Sequence, residues 1–148
     1  MSREIKFRAW DIADNTMYEN VGLVGNRLIL KYEYDEDFEE IDQRCYVDIN
    51  ENNKKYFKVM QYTGLKDKNG IEIYEGDIVK YTFDLPESLY ATENGLKIRT
   101  HQVFWSDWRS SFAIGNKMAN TDLFRYVRNG NRAEVIGNIY EDRHLLEG

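Results

Sequence analysis

The chain has 148 residues, a formal charge of −6, 14% aromatic residues, one proline and one cysteine. A chain of this length buries roughly 70% of its unfolded surface, so it can fold without a metal or a disulfide staple. The acidic balance argues against generic attraction to nucleic acid, and the single thiol, Cys45, excludes an internal disulfide.

No run is long and apolar enough to cross a bilayer as a helix. The start, "MSREIKFRAW", carries basic residues but no apolar stretch of the signal-peptide kind. With a lone cysteine, these features lead to the expectation of a cytoplasmic protein without a membrane partner.

In chain order, "IKFRAW" alternates: Ile5, Phe7 and Ala9 face one way, Lys6, Arg8 and Trp10 the other, as in a half-buried strand. "DIADNT" breaks it with turn-forming residues, and "MYENVGLV" reads as the return strand of a hairpin. "RLILKYEY" alternates again, with Leu28, Leu30, Tyr32 and Tyr34 on one face. "DEDFEEID" is either a short helical turn or an acidic loop. "RCYVDI" and "YFKVMQY" read as strands joined by a hairpin connection at "NENNKK", with Cys45 a small core residue.

"LKDKNGIEIYEGDIVKY" then sets a turn at Asn69-Gly70, a short strand, a kink at Gly76 with Asp77 bonding backbone beyond it, and a strand from Ile78. "LPESLYATENGL" is a long loop or one helical turn. "KIRTHQVFW" and "SFAIGN" are strands around the turn "SDWRS". "NTDLFRYVRNG" reads as a short helix capped by Asn120 or Thr121 and stopped by Gly130, with a strand as the alternative. "AEVIGNIYE" is the last strand and "DRHLLEG" a terminal turn. This makes about eight to ten short strands, the count of a barrel or sandwich.

The expected fold is therefore mainly β, α+β with minor helix. An N-terminal β-meander (residues 1–64) would pack on a C-terminal SH3-like small barrel (residues 65–148) within one compact unit.

No catalytic constellation emerges. His101 and His144 lie outside any metal or protease motif. The carboxylates Asp35, Glu36, Asp37, Glu39, Glu40 and Asp42 miss the glycine that a calcium loop requires and read as a solvated acidic loop. "GLVG", Gly22 to Gly25, has the spacing of a backbone-clamping G-x-x-G loop without flanking basic residues. Neither an enzyme activity nor a cofactor or metal is expected.

Two features point outward. Trp105 and Trp108 flank a turn beside Arg109, as an aromatic platform or as the plug of a small barrel. Charge is also segregated. Residues 33–51 are acidic with Arg44 the only basic residue, whereas residues 97–132 carry Lys97, Arg99, Arg109, Lys117, Arg125, Arg128 and Arg132 against Asp107 and Asp122. The two segments pair within one fold, pair between subunits, or leave the basic one to a polyanion. Trp105, Trp108, Arg109, Lys117, Arg125, Arg128 and Arg132 are the candidate nucleic-acid contacts.

"IKFRAWD", "MQYTGLKDKNGIEIYEGDIV" and "VIGNIYE" stand in the order found in the YopX family, small proteins of phages and prophages, and the chain resembles that family over nearly its whole length. The resemblance implies a β-rich fold, a cytoplasmic setting in the bacterial host and homo-oligomers, and it supplies no catalytic residues. The resulting expectation is a non-catalytic, homo-oligomeric interaction or assembly module of phage origin. The alternative is a nucleic-acid-binding protein acting through the basic C-terminal part.

Overall fold

The computed structural model describes residues 4–30, 34–35, 40–41, 46–116 and 118–146. The chain divides into two units, residues 1–61 and 62–148.

In the first unit the strands are β1 (Phe7–Asp11), β2 (Thr16–Tyr18), β3 (Gly22–Val24), β4 (Arg27–Ile29), β5 (Tyr34–Asp35), β6 (Glu40–Ile41), β7 (Tyr46–Asp48) and the first half of β8 (Phe57–Lys66). β1 lies between β2 and β8, antiparallel to both; β3, β4 and β7 form a second sheet, and β5 pairs with β6. Ala9, Val21 and Leu28 are buried together, with Phe7, Tyr18, Leu30, Val47, Ile49 and Phe57 packed around them.

Three expectations are corrected here. β1 is covered on both faces: Arg8, Trp10 and the cross-strand neighbour of Arg8, Met60, are buried as well as Ala9, while Ile5 is exposed. Its alternation separates two faces, and burial of Arg8 and Trp10 as well as Ala9 shows both to be covered. "MYENVGLV" is two strands, because Asn20 takes a left-handed φ of 51° and sends β3 to pair with β4 instead of β1. "NENNKK" is a crossover and not a hairpin, since β7 pairs with β4 and β8 with β1. Its asparagines hold it: Asn50 Oδ1 accepts from the Asn52 and Asn53 amides, and Asn53 Nδ2 donates to the Asp48 carbonyl, ahead of a 3-10 turn at Lys54–Tyr56. Within the acidic run, Tyr34–Asp35 and Glu40–Ile41 are paired strands. Cys45 and Tyr32 lie outside the described residues.

The second unit continues with β9 (Glu72–Tyr74), β10 (Asp77–Tyr81), β11 (Arg99–Ser106), β12 (Ser111–Gly115), β13 (Asn120–Asp122), the one-turn helix α1 (Phe124–Val127), β14 (Glu134–Asn138) and a 3-10 turn at Arg143–Leu146. The second half of β8 pairs with β9. An antiparallel sheet of five strands runs β13-β12-β11-β10-β14 and curls into a half-barrel. Its core is Ile73, Val79, Tyr81, Val103, Ile114, Leu123, Tyr126 and Ala133. The chain is mainly β, as its patterning requires; the SH3-like description remains an expectation. Residues 120–122 are strand, so Asn120 and Thr121 do not cap a helix; α1 begins after Leu123, with no side-chain cap.

The glycine-rich middle of the sequence is a set of backbone staples. The buried Asp67 carboxylate accepts three backbone N–H groups: Asn69 and Ile71 at 2.9 Å, closing its own turn, and Val135 of β14 at 2.9 Å. Gly70 supplies the positive φ, 82°, that this turn needs. Asp77 is also buried and accepts from the Tyr74 amide at 2.8 Å, a bond that reaches back across the Gly76 bend. At the far end, Asn138 Oδ1 accepts from the Tyr140 and Glu141 amides. Near the start, Asp11 Oδ1 accepts from the Ala13 and Asp14 amides. Each of the three signature segments therefore contains at least one polar side chain that holds a turn: Asp11, Asp67 with Asp77, and Asn138.

Candidate functional site

A four-residue turn, Asp107–Ser110, links β11 to β12; the register puts Ser106 opposite Ser111. Ser106 Oγ accepts from the Arg109 amide at 3.2 Å, and Ser110 takes a φ of 51° to close the reversal. At the strand ends Trp105 faces Phe112 edge-on, with ring centres 5.1 Å apart, yet remains 46% exposed. At the tip Trp108 is 87% exposed. The Arg109 guanidinium lies 5.3 Å from the Trp108 ring. It is held from below: its Nε donates to Asn120 Oδ1 at 2.8 Å and its Nη2 to the Asn120 carbonyl at 2.7 Å. Ser111 Oγ donates to the Asp122 carboxylate across the same strands. The corner is thus a rigid support for one protruding indole with a fixed cation beside it.

The other candidate residues fall in two places. Arg125 and Arg128 are exposed at α1, where Arg128 lies 5.5 Å from the ring of Phe124, itself half exposed. Arg132 is committed elsewhere: it donates to the carbonyls of Thr82, Phe83 and Gly130 and lies 5.3 Å from the Tyr126 ring. Lys117 lies outside the described residues.

The sequence did not signal a second cluster. Tyr81 and Tyr126 pack with ring centres 4.5 Å apart, Phe83 stacks on Tyr126, and the Arg99 guanidinium covers Phe83 at 3.6 Å. Tyr81 Oη lies 3.0 Å from His101 Nδ1. Burial pushes the Tyr81 phenol up to about 12, reinforced by Tyr126 and opposed by Arg99. Burial, with Arg99 nearby, lowers His101 below its ordinary value. A neutral imidazole accepting the phenol proton fits both directions. The only advance signal is period two: Tyr81, Arg99 and His101 share one face through the β10–β11 register.

The loop from Thr82 to Ile98 is built from its own bonds. Asp84 accepts from the amide and hydroxyl of Thr92, which hold its carboxyl below the usual range, and the Asp84 amide donates to Gly95. Leu89 and Tyr90 on this loop are 98% and 91% exposed. In the first unit, Arg27 and Asp48 form a surface ion pair at 2.8 Å that raises the one group and lowers the other. His144 is exposed in the terminal 3-10 turn. Among the described residues no three His, Cys, Asp or Glu side chains converge as a metal site, and no helix is long and apolar enough to cross a membrane.

The family model described as YopX protein matches residues 6–147. The chain belongs to the YopX family. Two solved structures are similar over nearly their full lengths. Protein EF1440 from Enterococcus faecalis shares 28% identity at a TM-score of 0.67, over 98% of this chain and 99% of that one. YopX from Bacillus subtilis shares 22% identity at a TM-score of 0.57, over 95% and 97%. No curated protein matches the chain. The second likeness speaks to the fold alone, so within the YopX family the chemistry of this chain has to be argued from its own surface.

Proposed function

We propose that this protein is a non-catalytic interaction module of phage or prophage origin, acting in the host cytoplasm as a homo-oligomer through the Trp108–Arg109 corner. The observation that carries the reading is a nearly fully exposed tryptophan on a hairpin tip, beside an arginine already fixed by Asn120. Tryptophan and arginine dominate the binding energy of protein interfaces, and a preset arginine loses little entropy on docking. Self-association fits the acidic and basic segments of the sequence, which supply opposite charges to facing copies. Sedimentation velocity at micromolar protein tests it: an oligomer in low salt that dissociates as salt rises is expected, and a monomer in low salt contradicts it.

A second reading takes the same corner as a stacking platform for single-stranded nucleic acid, with Arg125 and Arg128 supplying phosphate contacts. It is favoured specifically by the Trp108–Arg109 juxtaposition, because every base presents a π-face to an exposed indole. Fluorescence anisotropy of a labelled oligonucleotide should then rise with protein in low salt, and fail to do so for Trp108→Ala.

A further inference from the structure

The convex side of the five-stranded sheet carries a row of groups that the Trp108 corner does not use. The register places Glu134 of β14, Lys80 of β10 and Thr100 of β11 side by side. Lys68, whose amide donates to the Ala133 carbonyl, reaches the same row from the Asp67 turn. Both ammonium groups, Lys68 Nζ and Lys80 Nζ, lie 3.4 Å from one oxygen, Glu134 Oε2. One carboxylate thus serves two lysines, and neither contact has the short geometry of a well-formed charged hydrogen bond.

Lys68, Lys80 and Glu134 line a cleft of about 420 Å³ together with Arg132, Leu85, Pro86 and Ile98. Arg132 spends its Nε and one N–H from each terminal nitrogen on backbone carbonyls. Carbonyls orient the guanidinium but leave its full charge in place. Counting Glu87 at the rim, the lining has three cations, Lys68, Lys80 and Arg132, and two anions, Glu87 and Glu134. The cleft is therefore one charge positive in a chain of net charge −6. At physiological salt carboxylates beyond about 8 Å are screened, so the lining charges, with Asp84 close enough to act on Arg132, set the local field. The volume is that of a small-molecule site.

The wall is prebuilt. Arg132 pins the start of the Thr82–Ile98 loop, and Leu85 packs so closely on Gly130 that an added Cβ would meet Leu85 Cδ2 at 2.4 Å. Little ordering is left for a ligand to drive.

We propose that this cleft binds a small organic anion, a carboxylate or a phosphate monoester on an apolar body. The anionic group would sit among Lys68, Lys80 and Arg132, and the apolar body would lie against Leu85, Pro86 and Ile98. The ligand's anion competes with Glu134 for the two lysines, which makes the prediction directional. Removing Glu134's charge strengthens binding, and removing a lysine weakens it.

The test is a titration of the full-length protein, followed by amide chemical shifts, with benzoate, phenyl phosphate, inorganic phosphate and benzyl alcohol. Benzoate or phenyl phosphate should saturate, with shifts centred on Thr82, Leu85, Ile98 and Asn131; whichever binds tighter identifies the anionic group. Inorganic phosphate and the neutral alcohol should each bind about tenfold more weakly or not at all. Glu134→Gln should tighten the better ligand several-fold, Lys80→Ala should weaken it about tenfold, and Lys58→Ala, in the first unit, should leave it unchanged. Circular dichroism confirms that each variant is folded, and Lys68→Ala serves if Lys80→Ala is not. Two results overturn the proposal: no saturable shift with either aromatic anion, or equal weakening by Glu134→Gln and Lys80→Ala.

Discussion

The two units of the chain solve the same problem with different depth. Residues 62–148 gather a cluster of eight buried side chains under a five-stranded sheet, and the Asp67 carboxylate fastens its own turn to β14, far along the chain. Among the described residues, 1–61 gather a cluster of three, Ala9, Val21 and Leu28, and their turns are held by local caps such as Asp11 and the asparagines of the crossover. The comparison teaches that a staple reaching from a turn to a strand far along the chain fixes tertiary structure, whereas a cap within a turn fixes only the turn. The second unit is accordingly the stiffer platform, and it carries the exposed tryptophan.

The sharpest way to break that contrast is to remove one carboxylate from each unit. Asp67→Ala strips an acceptor from three backbone amides, one of them on β14, and should cost about 3 kcal/mol or more. Asp11→Ala removes a local cap and should cost only about 1 kcal/mol. Urea unfolding followed by tryptophan fluorescence reads both; equal costs would erase the distinction.

A smaller contrast lies in two glycines. Gly25 has a φ of 61° in open space, so Gly25→Ala should carry only the left-handed strain of roughly 1–2 kcal/mol. Gly130, at 102°, also touches Leu85, so Gly130→Ala should cost more and should shift the amides of the Thr82–Ile98 loop. Thermal melts of the two variants rank them.

The mildest effect is one of pH. His101 titrates below its ordinary value of 6.5 because burial and Arg99 disfavour the imidazolium. The unfolded chain takes up that proton first as pH falls. The contribution of His101 to stability is therefore complete above about 6.5 and is lost as the pH drops toward its lowered folded value. His101→Gln should flatten the dependence of Tm on pH between neutrality and mild acid; an unchanged slope would place the acid sensitivity elsewhere.

Much of this was legible in the residues. "KDKNG" and "YEGD" announced their turns because glycine and a short carboxylate leave few other conformations, and β10, β11, β12 and β14 stood out as strand-forming runs between turns. Trp108 was legible as a turn residue, since a turn between two strands must expose its tip. Other features were not. Arg8 and Trp10 seemed to face water because alternation reports two faces and cannot say that both are covered. Asn120 reads as a cap in any local window, and only its pairing with Gly115 on β12 makes it strand. The Lys68–Glu134–Lys80 row could not be found in advance, because it depends on a register set between β10 and β14 across a loop and three intervening strands. Arg132 looked like one more surface cation until its carbonyl partners placed it under the loop.

The central claim is that the second unit is a scaffold whose work is done by the hairpin tip standing on it. Sedimentation velocity of Trp108→Ala beside the unaltered protein, with a thermal melt of each, tests it most directly. The expected result is loss of association with Tm held within about 2 °C, as for an exposed residue that the fold does not use. A Trp108→Ala variant that associates as the unaltered protein does would contradict it.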